Sequence, residues 1–175
     1  MKLDNIRGDD LESQLKKINP YDINTIGEQI KKTYDRQTYL AFQFSIMTGV
    51  RAGELAALTW DKISFDTNEV TINRSYKKEV GVANVKTLTG NRIIPLKVDL
   101  VQQLKEFYIK LGRPDLKSLV FGQKCGNPYH NTYYKDRLQR AAKAVGINAI
   151  KWHDLRHYYA SVMLDYFGDD IWTVS

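Results

Sequence analysis

Cysteine is almost missing from this chain of 175 residues, with Cys125 the only one. No intrachain disulfide can form, and no cysteine metal cluster can be assembled. That scarcity fits a reducing, cytoplasmic setting. Long apolar runs are missing too. The nearest candidate, residues 40–50, is shorter than the roughly 20 residues a membrane span needs. It also runs into Thr48-Gly49, so a core helix is expected there. The first residues carry no signal-peptide pattern, and neither an internal repeat nor a low-complexity tract is present.

What remains is the composition of a soluble globular protein, 43% hydrophobic and 26% charged. The length suits one domain with a sizeable core better than two. Charge is unevenly placed. Residues 1–70 hold 9 Lys/Arg against 11 Asp/Glu, whereas residues 71–175 hold 17 against 9. A basic second half suits a polyanion such as DNA, although many ordinary domains share that feature.

Residues 1–20 mix charges with scattered Leu and Ile and read as an expression start or the end of an interdomain linker. The domain proper is expected over 21–175. Apolar periodicity predicts helices over 23–34, 37–47 and 54–58, the second ended by Gly49 in a left-handed cap. Alternation then predicts strands over 69–73, 82–86 and 92–96, with Leu88-Thr89-Gly90-Asn91 turning the chain between the last two. Further helices are expected over 99–111, 131–145 and 153–166, and a short buried strand over 118–121. The predicted class is mainly α with a small antiparallel β-sheet, an α+β fold.

Three segments carry chemistry. In T-G-V-R-A-G-E-L, residues 48–55, Glu54 follows Arg51 by three positions, a spacing that can fix a guanidinium in one pose. A surface ion pair of little value is the plain alternative. In K-T-L-T-G-N-R-I-I-P-L, residues 86–96, Lys86 and Arg92 bracket a turn. In W-H-D-L-R-H-Y, residues 152–158, His153, Arg156 and His157 stand at i, i+3 and i+4 and share a helix face. Leu155, Tyr159, Val162 and Met163 are expected to face the core from the neighbouring stripe. Two permanently charged arginines with histidines between them suit a tetrahedral phosphate. A metal site on His153 and His157 is rejected, because Arg156 lies between them and His130 is far away in sequence.

These three segments together resemble the catalytic core of the tyrosine recombinases, the family of phage integrases and Xer-type resolvases. The first is similar to the family's first-arginine motif, including its Leu58, Trp60 and Asp61 tail; the second is similar to its lysine-bearing hairpin. Gly90 departs from the family's frequent Ser. The resemblance implies that Arg51 and Arg156 are the catalytic arginines and that Lys86 protonates the leaving 5′ oxygen. His153 is then an acid/base or phosphate-binding residue, with Glu54 and His157 in support. Arg51, Lys86, Arg92 and Arg156 are the DNA-contacting set. No cofactor and no metal are implied. The partners are double-stranded DNA attachment sites and other recombinase subunits, as a tetramer on DNA.

The family's Leu-Gly-His motif and nucleophilic tyrosine would fall beyond Ser175, so the nucleophile is expected to be absent from residues 1–175. Tyr158, Tyr159 and Tyr166 are poor substitutes by position. On that expectation this polypeptide binds DNA without cleaving it, and twenty leading residues cannot encode the family's N-terminal clamp domain. Two rivals stand beside it. One is a non-catalytic DNA-binding or dimerisation remnant of an integrase, and the other is a type IB topoisomerase.

Overall fold

The computed structural model describes residues 20–84, 91–130, 132–147 and 150–167. Residues 1–19, Lys86, the expected turn residues 88–90 and the tail after Phe167 lie outside them. In chain order the helices are α1 (Pro20–Thr33), α2 (Arg36–Thr48), α3 (Ala52–Ala56), α4 (Val98–Lys110), α5 (Thr132–Ala144) and α6 (Trp152–Phe167). Between α3 and α4 come, among the described residues, a 3-10 turn (Trp60–Lys62) and five strands. These are β1 (Ile63–Ser64), β2 (Glu69–Ile72), β3 (Arg74–Lys77), β4 (Gly81–Asn84) and β5 (Arg92–Pro95).

Helix α2 is the central pillar. Asp35 caps its start by accepting from the Thr38 N–H at 2.7 Å. Gly49 ends it with φ of 62°, a left-handed conformation that L side chains rarely adopt. Leu40, Ala41, Phe42 and Phe44 are all buried, so α2 is enclosed on most sides. Its polar Ser45 and Thr48 donate to the carbonyls of Ala41 and Phe44, which lets them sit in the core. Helix α1 packs on α2 and α5, while α4 and α6 each pack on α2.

The strands form two antiparallel units, a three-stranded sheet in the order β1-β2-β5 and a ribbon of β3 with β4. In the sheet, Val70 pairs with Ile63 on one side and Ile94 on the other. Those three and Ile72 are buried, whereas the alternate residue Ile93 faces outward. The sequence predicts a turn joining strands 82–86 and 92–96. The structure instead pairs β4 with β3 and β5 with β2, so the two belong to different units. Strands β1 and β3 were not anticipated. Two residues are too few to show alternation, and R-S-Y-K offers no apolar period.

The expected strand over 118–121 reduces to a bridge between Thr59 and Leu119. It holds the segment after α3 through Trp60 N–H to Ser118 O (3.2 Å) and Val120 N–H to Leu58 O (2.9 Å). Trp60 is buried against Tyr108, Phe107 and Phe65, with ring centroids 5.0, 6.1 and 6.5 Å away.

Candidate active site

Two chain segments meet at one buried carboxylate, and a third lies beside them. Arg51 is the N-cap of α3, with extended φ and ψ of −72° and 153°. Glu54, three residues on, reaches back to accept the Arg51 backbone N–H at 2.9 Å and its Nη1 at 3.1 Å. Arg92, at the start of β5, donates Nη2 to Oε2 at 2.8 Å and Nη1 to Oε1 at 3.3 Å. The Glu54 side chain is only 2% exposed. This is no surface ion pair.

Burial would raise the Glu54 pKa, but hydrogen bonds from Arg92 and Arg51 outweigh it and hold the carboxyl below its ordinary value. Gly53 permits the close seat of α3 on β3. A Cβ there would stand 2.6 Å from Ser75 Oγ and 2.7 Å from Tyr76 O.

Arg156 comes from α6, whose contact with α2 brings it to the end of that helix, where its Nη1 donates to the Gly49 carbonyl. Its pKa is lowered by burial first and then by the positive charges of Arg51 and Arg92, with Glu54 opposing. A guanidinium so placed still stays charged at neutral pH. The three arginines are therefore close enough to repel one another.

His153 stands one turn earlier on α6, its ring 4.6 Å from that of His157 in an edge-to-face pose. Its pKa is lowered by burial, then by His157, Arg156 and more weakly Arg51, while Asp154 pulls the other way. A neutral imidazole beside guanidinium groups can accept a proton. The His157 carbonyl accepts from Ser161 Oγ at 3.0 Å.

Arg51, Glu54, Arg92, His153 and Arg156 are thus brought together, and His157 adjoins them. Lys86 lies outside the described residues. The engagement of Arg92 by Glu54 was not foreseen, because only the β2–β5 pairing reveals it. One orientation on α6 needs correction. Leu155 is buried, but Val162 is 37% exposed and does not face the core. It lies on the same stripe two turns further along, past the part of α6 that the core covers among the described residues.

Among the described residues, no group of three or more His, Cys, Asp or Glu could hold a metal. None of their helices is long and apolar enough to cross a membrane.

The sequence model described as the Phage integrase family matches residues 13–169. The chain belongs to that family. It is 26% identical over 178 residues to a "Tyrosine recombinase XerC-like" of Caldanaerobacter subterraneus subsp. tengcongensis, covering 89% of this chain and 45% of the relative. It is 28% identical over 141 residues to an "Integrase" of Streptomyces ambofaciens, covering 69% and 36%. The chain therefore spans less than half the length of these integrase-family relatives.

Among solved structures, the Tn1549 transposon integrase in complex with transposon right end DNA superposes with a TM-score of 0.73. It is 20% identical and covers 89% of this chain and 55% of that one. The shared fold is the mainly helical tyrosine recombinase catalytic domain with small antiparallel sheets.

Proposed function

We propose that this chain is the catalytic domain of a tyrosine recombinase, over residues 21–175, that cuts and rejoins double-stranded DNA at specific attachment sites. The observation that carries this is the placement of Arg156 and His153 on α6 near Arg51, which Glu54 holds together with Arg92. Such a cluster of fixed positive charge suits a tetrahedral anion.

In the reaction, a tyrosine hydroxyl oxygen attacks the scissile phosphorus while the bond from phosphorus to the 5′ oxygen breaks. The tyrosine proton passes to a base, for which the neutral His153 is suited, and Lys86 supplies a proton to the departing 5′ oxygen. Arg51 and Arg156 face the non-bridging oxygens as negative charge grows on them, commonly a contribution of several kcal/mol for one well-aimed donor. The 3′-phosphotyrosine link keeps the bond energy, so attack by a 5′ hydroxyl rejoins the strand without a nucleotide cofactor. The partners are DNA attachment sites and further recombinase subunits, assembled as a tetramer on the DNA, in the cytoplasm.

The test is covalent trapping on nicked DNA carrying the element's own attachment core, read on a denaturing gel. Residues 1–175 are compared with a polypeptide running through the family's Leu-Gly-His and tyrosine. An adduct from the longer polypeptide, lost in Arg51→Ala and Arg156→Ala with DNA binding largely kept, supports the assignment. Cleavage by either variant refutes it. No adduct from either polypeptide favours a non-catalytic DNA-binding module. Binding should weaken steeply with salt if the basic half is the contact surface.

A further inference from the structure

The two arginines on Glu54 are used differently. Arg92 aims both terminal nitrogens at the carboxylate, one on each oxygen, in the paired geometry that gives a guanidinium–carboxylate contact its direction. Arg51 gives only Nη1 to the same carboxylate, and its side chain is 57% exposed against 25% for Arg92. Arg51 therefore keeps an outward edge of donors, while the donor edge of Arg92 is turned inward and engaged.

Remove Arg92, and Glu54 is left as a buried carboxylate facing one half-exposed partner. Two responses are open to it. Either the carboxyl takes a proton and loosens its hold on Arg51, or it draws the Arg51 guanidinium inward. Both move the guanidinium that faces the phosphate.

We infer that Arg92 is a positioning residue, holding Arg51 in its phosphate-facing pose through Glu54, in place of the direct DNA contact that the sequence suggests. This rests on the proposed function only in taking Arg51 as the phosphate contact. The clamp also ties together two motifs that are far apart in the chain. Arg92 stands six residues after Lys86, and so fixes the strand leaving that segment to the turn that carries Arg51.

The test uses the 175-residue chain with arginine side chains followed by nuclear magnetic resonance. Rotation of each guanidinium is measured, and inorganic phosphate is the probe. In the unmutated protein, acid should release Arg51 and Arg92 at one shared midpoint, that of Glu54. Arg92→Lys keeps the charge but loses the paired contact. It should set Arg51 rotating freely and weaken its phosphate response by about tenfold, the loss expected for one hydrogen bond to a charged group.

An Arg92 that merely supports the fold would lower the melting temperature and leave Arg51 rotation unchanged, which overturns the inference. Direct phosphate shifts at Arg92 with none at Arg51 would overturn it too. If Arg92→Lys fails to fold, the acid titration decides, and two separate midpoints refute the coupling. A wild-type Arg51 that is restrained but blind to phosphate refutes the proposed function instead.

Discussion

Replacing Gly49 with alanine should destabilise the protein and disturb Arg156 together, because one residue serves both. The backbone there has φ of 62°, and an L side chain in that region costs roughly 1–2 kcal/mol. The new methyl would also overlap the Tyr159 ring, whose Cγ and Cε1 would lie 3.0 and 3.1 Å away. Overpacking of that kind typically costs about 1–3 kcal/mol. The expected loss is thus about 2–5 kcal/mol, or a Tm lower by about 5–15 °C at this chain length.

Denaturant unfolding of Gly49→Ala, Tyr159→Ala and the double variant separates the two contributions. With the ring removed, the alanine should cost only the backbone part, about 1–2 kcal/mol. A single-variant loss below about 0.5 kcal/mol, inside the range of an ordinary surface change, would refute the reasoning. Equal losses in both backgrounds would refute the steric half alone.

Three further outcomes follow from the same geometry. His153 should titrate below 6.5, since burial and the neighbouring His157 and Arg156 disfavour its charge. Its contribution to stability is present above 6.5 and is lost as pH falls through the folded value, and proton resonance should show the midpoint rising in His157→Ala. Glu54, held below 4.5, contributes stability that is present above that value and lost as pH falls through its depressed one. Glu54→Gln should flatten that part of a stability–pH profile, and an unaltered acid limb would count against the clamp. Trp60→Ala, which empties the space among Phe65, Phe107 and Tyr108, should cost about 3–5 kcal/mol in denaturant unfolding.

The helices were legible because their signals are local. The apolar period over α2 and its Gly49 cap, and the stripe of α4, lie within a few turns of chain; of the expected stripe Leu100, Leu104 and Phe107 are buried, whereas Leu111 at its end is 48% exposed. Motif spacing singled out the arginines and His153, and the fold brings them near one another. What escaped was pairing at a distance. Nothing in residues 69–96 says that β5 leaves β4 and joins β2, since the choice is made by which faces Val70, Ile72 and Ile94 bury together. That choice puts Arg92 on Glu54, so the missed partner of the site and the missed strand order are one miss. The exposure of Val162 escaped for a related reason, because periodicity marks a stripe without showing how far along it the core extends.

Among the described residues, the fixed positive charge of the site exceeds that of its buried carboxylate. One carboxylate faces three guanidinium groups, and Glu54 is fully occupied by Arg51 and Arg92. Among the described residues Arg156 forms no ion pair; its Nη1 rests on the uncharged Gly49 carbonyl, and Arg51 and Arg92 disfavour its charge. Like charges held near one another are unfavourable unless something opposes them, and here α3, α6 and β5 hold them in place. Under the proposed function, a phosphate entering among them relieves their mutual repulsion. On that same reading the interaction grows as negative charge accumulates on the phosphate, which favours a phosphoryl-transfer transition state over the resting diester.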